Sequence, residues 1–210
     1  MLRDHQGRVL VARRPPGAEL GGLWEFPGGK AESGERPRDA LARELEEELG
    51  VGVELARPLV RVGHDTSARR VLLDVWEILA YRGSPVGREG QPLRWVPAQE
   101  LTRWPMPPAD GPVITALRLP PVLCDADGEA APDLVSRTVD PTGPSVARSA
   151  TGGFAVVGPI RGERGIGWAR FASMVAHLHG PVYAQGGVCA ADAAVARALG
   201  GHGVIVRGRG

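Results

Sequence analysis

The sequence predicts an α/β protein in two parts joined by a poorly patterned stretch. Three observations carry this reading. From residue 2 to 119, strand-like segments surround one strongly amphipathic helix. Residues 120–153 are rich in Pro, Gly, Asp and Ser, with weak periodicity, and read as a linker or an eroded segment. Residues 154–210 then run strand, helix, strand, helix, strand, the pattern of parallel strands with crossover helices.

Each element has its own signal. RVLVAR at 8–13 alternates as a strand does. LWEF at 23–26 is a short extended piece that Pro27-Gly28-Gly29 ends as a turn. Over 36–49, Ala40, Leu41, Leu45 and Leu49 make one apolar helical face, and Gly50 stops the helix. Strands are expected at 53–63 and 69–81 around a loop at 64–68, then a loop at 87–92 and a strand at 93–97. A helix is expected from near Asp110 to about Leu119. In the last part, strands are expected at 154–160, 181–187 and 203–208, with helices at 167–178 and 190–199. No internal repeat is present.

Composition narrows the function classes. The chain has 210 residues, 43% of them hydrophobic, enough for a real core, and a net charge of +1. That charge gives no broad electrostatic case for direct nucleic-acid or membrane binding. Lys30 is the only lysine. Cys124 and Cys189 fit no metal or disulfide framework and read as small buried or neutral residues in a reducing compartment. No secretory leader or long apolar run is visible, so the expected location is the cytoplasm.

RELEEELG at 43–50 carries the chemistry. Glu44, Glu47 and Glu48 fall on one helix face, where like charges at i,i+3 and i,i+4 repel by a few tenths of a kcal/mol, an order-of-magnitude figure. Two explanations stand at this point. The face is solvated and acidic, or it holds a hard divalent cation, which takes oxygen ligands.

The flanks extend the pattern. From Gly29 the order is Gly, five residues, Glu35, seven residues, Arg43-Glu44-Leu45, one residue, Glu47-Glu48, one residue, Gly50-Val51. This resembles the Nudix box, GX5EX7REUXEEXGU, at every fixed position. WEFPGGKAESGE at 24–35, GREGQP at 87–92 and PPADGPVI at 107–114 resemble the MutT-type branch, whose members convert nucleoside triphosphates to monophosphate and pyrophosphate.

The resemblance implies a Nudix α/β/α sandwich with a mixed sheet over 1–119. It implies Mg²⁺, with Mn²⁺ as an alternative, on Glu44, Glu47, Glu48, the Gly28 carbonyl and Glu89. Glu89 would be a metal ligand or a base. Arg43 and Glu35 would fix the loop–helix geometry. Arg14 would contact phosphates, and Phe26 and Arg69 would line a nucleoside pocket. The substrate expected is an oxidised guanine nucleotide such as 8-oxo-dGTP, in the manner of enzymes that cleanse the nucleotide pool. Where the family has asparagine to read the base, this chain has Asp110. It is expected to be held protonated by burial, so that it donates as the amide would, to serve as a helix N-cap, or both. The family also begins with a full strand before the residues matching 3–10. Only Met1 and Leu2 stand there, so an exposed sheet edge is expected.

Residues 154–210 resemble the end of the TenI/thiamine-phosphate-synthase group of (β/α)8 barrels. FAVVGPI, GIGWARFASMV, PVYAQGGV and GVIVRG carry the likeness, and LPPVLCDADGE at 119–129 reads as a first-strand remnant. In that group the glycine pair binds phosphate, which falls on Gly186 and Gly187. The stretch after 119 is too short for a full barrel of ~200–250 residues. The expectation is a partial barrel, non-catalytic, with open edges that invite self-association. Two other functions are open: a thiamine-phosphate-related transferase carried by this segment, and a nucleotide-binding module without chemistry.

Overall fold

The computed structural model describes residues 1–65, 70–125, 134–135, 145–149 and 154–207. Packing divides the chain into two compact units. One is Met1–Arg57 with Asp74–Leu117, and the other is Pro58–Leu73 with Arg118–Gly210.

In the first unit, β1 (Val9–Arg13) is central. It pairs antiparallel with β2 (Trp24–Glu25) in the register Ala12↔Glu25, and with β5 (Leu93–Val96) in the register Leu10↔Trp95. Helix α1 (Pro37–Leu49) starts with a proline at its first position, where the missing N–H has no helical partner to lose. Gly50 ends it in the left-handed conformation, its N–H reaching the Glu46 and Leu45 carbonyls. Leu45 and Leu49 are fully buried against Leu2, Leu10, Val51 and Ile78. Each is worth about 2 kcal/mol of burial. That face fixes the rotation of α1 and sends its glutamates to the opposite side.

Strands β3 (Gly52–Asp65) and β4 (Arg70–Arg82) form a long hairpin. Arg69 falls between them and lies outside the described residues. The expected helix near Asp110 is a short 3-10 turn, Pro108–Asp110, running into α2 (Gly111–Arg118).

The exposed edge expected at the N-terminus is not found. Leu2 bridges Ile78 of β4 in parallel, Arg3 bridges Val9 antiparallel, and the Leu10 N–H donates to the Leu2 carbonyl at 3.1 Å. The Ile78 N–H donates to the Met1 carbonyl at 2.9 Å, and Leu2 is fully buried. A few residues thus join β1 to β4, and the Leu2–Ile78 bridge supplies the parallel element of a mixed sheet.

In the second unit, β9 (Ala155–Gly158), β10 (Val182–Gln185) and β11 (Gly203–Arg207) are parallel, as the alternating pattern predicts. Helices α3 (Gly167–Val175) and α4 (Ala193–Ala198) connect them. One face buries Val157, Ala184 and Val204 against Phe171, Val175, Ala193 and Ala196. The other buries Val156, Tyr183 and Ile205 beside Leu119, Leu123 and Phe154.

Within the stretch expected as a linker or eroded segment, β6 (Val122–Asp125) stands where the first-strand remnant was expected, and β7 (Leu134–Val135) and β8 (Ser145–Ser149) are further strands. β6 joins β11 in parallel, and β8 covers the other edge at β9 antiparallel. The result is a six-stranded sheet in the order β6-β11-β10-β9-β8-β7. The β9 edge of the parallel strands is therefore paired, by β8.

The end of the β3–β4 hairpin belongs to this second unit. The Gly180 N–H donates to the Arg61 carbonyl at 2.8 Å, and Arg61 Nη1 donates to the Ala176 carbonyl at 2.9 Å. The His179 ring lies where a Cβ on Gly63 would come within 3.0 Å of it. No described helix is long and apolar enough to cross a membrane.

Candidate active site

Arg43 organises the acidic end of α1. Its Nε and Nη2 donate to the two Glu35 carboxylate oxygens at 3.1 and 3.0 Å. Nη1 donates to Glu44 at 2.9 Å and Glu47 at 3.3 Å, and Nη2 also donates to the Lys30 carbonyl at 3.1 Å. The Glu35 pairing, then the Glu44 pairing, raises the Arg43 pKa, and Arg43 in turn holds the Glu35 carboxyl below its ordinary value. The guanidinium fork ties the 28–35 loop to the helix, a geometry lysine could not reproduce.

The Gly28-Gly29 pair is required on two counts. Gly28 has φ +147, a conformation side chains rarely adopt. A Cβ on Gly29 would lie 2.1 Å from the Glu44 carboxylate. The loop therefore passes directly over Glu44. The Gly28 backbone acts on Glu48 in the stabilising sense, lowering its carboxyl pKa.

Glu48 is where negative charge concentrates. Burial, then the charges of Glu89, Glu44 and Glu25, push its carboxyl up to about 7. Glu89 is brought there by a loop tied to the end of α1. The Val86 N–H donates to the Leu49 carbonyl at 3.0 Å and the Arg88 N–H to the Glu48 carbonyl at 2.9 Å. Arg88 Nη1 donates to the Glu46 carbonyl at 2.7 Å, and Gln91 Nε2 to the Glu48 carbonyl at 3.3 Å. These contacts satisfy carbonyls that the helix terminus leaves open. Arg88 and Gln91 had only their place in GREGQP to signal this role.

The carboxylates do not form a ready-made cage: among the described residues, no three His, Cys, Asp or Glu side chains stand together as a metal site. Glu44 and Glu47 are instead paired with Arg43. The donor set itself suits a hard divalent cation, being carboxylate oxygens around one carbonyl-bearing loop. Glu48 in particular carries unbalanced charge.

Beyond Glu48 lies a second group. Arg14, half-buried after β1, pairs with Glu25 of β2 through Nη1, and its Nε donates to the Glu19 carbonyl at 2.7 Å. The Trp24 N–H donates to the Pro105 carbonyl at 2.8 Å, and Trp24 meets Trp104 edge-on at 4.9 Å. Those contacts hold β2 against the segment that leads to Asp110. Asp110 is buried, and its Oδ2 has no hydrogen-bond partner. Burial, then Glu25, raises its carboxyl to about 7, while Arg14 acts in the opposite sense. It makes no capping hydrogen bond to α2, so the N-cap expectation fails: the turn already begins at Pro108. Phe26 is half-buried just after β2, and Lys30 is exposed.

In the second unit, Gly186 and Gly187 both have positive φ, +84 and +69. Added Cβ atoms would meet Pro159 at 2.6 Å and Arg161 at 2.7 Å respectively. The Gly186 carbonyl accepts from the N–H groups of Ile160 and Arg161 at 3.2 and 3.0 Å. Arg161 is held by both carboxylate oxygens of Asp192, at 2.8 and 2.9 Å.

The description "NUDIX domain" matches residues 1–116, which carry both the Arg43 lattice and the Glu48 cluster. The chain belongs to the Nudix family. A CTP pyrophosphohydrolase of Escherichia coli is 36% identical over 113 residues, 54% of this chain and 84% of that protein. An 8-oxo-dGTP diphosphatase of the same organism is 34% identical over 118 residues, 56% of this chain and 92% of that one. The solution structure of the E. coli ORF135 protein is 35% identical, with a TM-score of 0.50, covering 55% of this chain and 82% of that chain. The chain is thus a Nudix hydrolase in its N-terminal half, related to both activities. The family match stops at residue 116 and lends no support to the TenI likeness expected for residues 154–210.

Proposed function

We propose that this Nudix hydrolase is a Mg²⁺-dependent nucleoside-triphosphate pyrophosphohydrolase that acts on oxidised guanine nucleotides such as 8-oxo-dGTP and so keeps damaged precursors out of DNA. The observation that carries the reading is the convergence of Glu89, Glu44 and Glu25 charge on Glu48 beneath the Gly28-Gly29 loop. A divalent cation supplies charge neutralisation of the triphosphate and polarisation of the attacked phosphorus. Glu44, Glu47, Glu48, Glu89 and the Gly28 carbonyl would hold it. Glu89 accepts the proton of the attacking water. The water oxygen bonds the β-phosphorus and the bond from that phosphorus to the α–β bridging oxygen breaks. The electron pair leaves on the monophosphate. Arg43 keeps the loop and helix in register, Arg14 meets the phosphates, and Phe26 lines the nucleoside pocket.

Asp110 reads the base as a neutral acid. Its O–H donates and its carbonyl accepts. Oxidised guanine offers O6 as acceptor beside N7–H as donor, which matches. Undamaged guanine offers two acceptors there, which does not. Cytosine also pairs an acceptor, N3, with a donor, N4–H. That match, with the CTP pyrophosphohydrolase relative, supports CTP as the second reading. The TenI-like unit stays outside the reaction, because Gly186 and Gly187 are already packed on the 159–161 turn.

The test is pyrophosphate release from 8-oxo-dGTP, dGTP, CTP and dCTP, with Mg²⁺ and with chelator. Release from 8-oxo-dGTP well above dGTP, abolished by chelator and restored by Mg²⁺, is expected. Faster CTP turnover than 8-oxo-dGTP turnover replaces the first reading by the second. No release from any of them leaves a nucleotide-binding module.

A further inference from the structure

We infer that Glu25 is a specificity-positioning residue: by engaging Arg14, it keeps Asp110 an uncharged donor to the base. The inference rests on the base-reading role proposed for Asp110.

Three observations on different elements support it. Arg14 is committed, with Nη1 on Glu25 and Nε on the Glu19 carbonyl at 2.7 Å. Asp110 is buried with Oδ2 unpartnered, so no cation is bonded to it. The backbone bond from Trp24 to Pro105 and the Trp24–Trp104 contact fix β2 against the chain that carries Asp110. The charged groups that act on Asp110 are Glu25 on β2 and Arg14 after β1, and they act in opposite directions.

The choice open to Arg14 explains the consequence. Bound to Glu25, it leaves a buried carboxyl facing a negative neighbour, and the proton stays on. Without the Glu25 charge, only burial would oppose Arg14. Asp110 would then ionise, and lose its donor, at lower pH. An ionised carboxylate accepts only and faces O6 of oxidised guanine with like polarity.

The experiment compares native protein, Glu25→Gln, Asp110→Asn and the double variant, all with Mg²⁺. It reads kcat/KM for 8-oxo-dGTP relative to dGTP across acid to alkaline pH. Carbon-13 NMR of the Asp110 carboxyl in the free protein is recorded alongside. In Glu25→Gln the alkaline fall should move to lower pH, and the preference for the oxidised base should drop about tenfold near neutrality. The carboxyl titration should move the same way without substrate. The double variant should match Asp110→Asn alone. An unmoved carboxyl titration overturns the inference, as does a Glu25→Gln effect that persists unchanged in the Asp110→Asn background. If Asp110→Asn leaves base preference and pH profile as native, the base-reading role itself falls, and this inference with it.

Discussion

Gly28-Gly29 and Gly186-Gly187 look alike in sequence. Each follows a short strand and precedes a helix, where glycine pairs commonly bring backbone N–H groups to an anion. The structure separates them by what the missing side chains would strike. At Gly29 it is the carboxylate of Glu44, a member of the proposed cation-binding set. At Gly186 and Gly187 it is Pro159 and Arg161, the latter tied to Asp192 and to the Gly187 carbonyl. A glycine pair in sequence reports close approach, and only the approached atom says whether that closeness serves a reaction or a core.

The comparison breaks most decisively at Glu48. Glu48→Gln should lower kcat by about 10²–10⁴-fold, with circular dichroism unchanged. Retained turnover at saturating Mg²⁺ would place the chemistry elsewhere.

Next come the glycines themselves. Gly29→Ala should displace the Glu44 carboxylate and reduce kcat by about 10²-fold while shifting the melting temperature little. Gly187→Ala should do the reverse. Strain at φ +69 and the clash with Arg161 should destabilise the second unit by about 1–3 kcal/mol, with kcat for the triphosphate unaltered. Steady-state kinetics and thermal melts on both variants check this. Equal loss of activity in the two would erase the distinction drawn above.

The smallest effect expected is on stability against pH. The folded Asp110 carboxyl lies near 7 against an ordinary 3.8, so the folded state binds the proton more tightly. Stability from this source is complete below the lower value and disappears as pH rises through the higher one. Asp110→Asn should therefore raise the melting temperature at alkaline pH by a few degrees, about 1–2 kcal/mol, and change it little under acid conditions. A uniform shift at all pH values would remove the protonated-acid explanation.

How much of this was visible in the sequence depends on how locally each feature is determined. The acidic face of α1 was readable because Leu45 and Leu49 fix its rotation within the helix itself. The parallel β9-β10-β11 run was readable because apolar strand and helix alternate. Strands β7 and β8 were not, because their residues carry little periodicity and are ordered by pairing on β9. The Glu25–Arg14 pair was missed for a related reason. Glu25 sits inside the familiar run WEFPGG, while its importance comes from partners on β1 and near Asp110. The burial of Asp110 without a cap was equally invisible, since an aspartate ahead of a helix reads as a cap by default.

The β3–β4 hairpin has a bearing on how this protein can be cut. Residues 58–73 follow the C-terminal unit, where Leu59, Val60 and Val62 are buried and Gly180 bonds Arg61. Amide protons of residues 59–62 should therefore exchange with solvent in step with β9 and β10, and out of step with α1. A chain ended at residue 119 would retain every residue of the acidic cluster and the buried Leu59, Val60 and Val62, yet remove most of the unit to which those three belong. The boundary written in the order of the amino acids and the boundary along which this molecule comes apart are different lines, and a fragment meant to isolate the hydrolase would need the hairpin tip shortened or made polar.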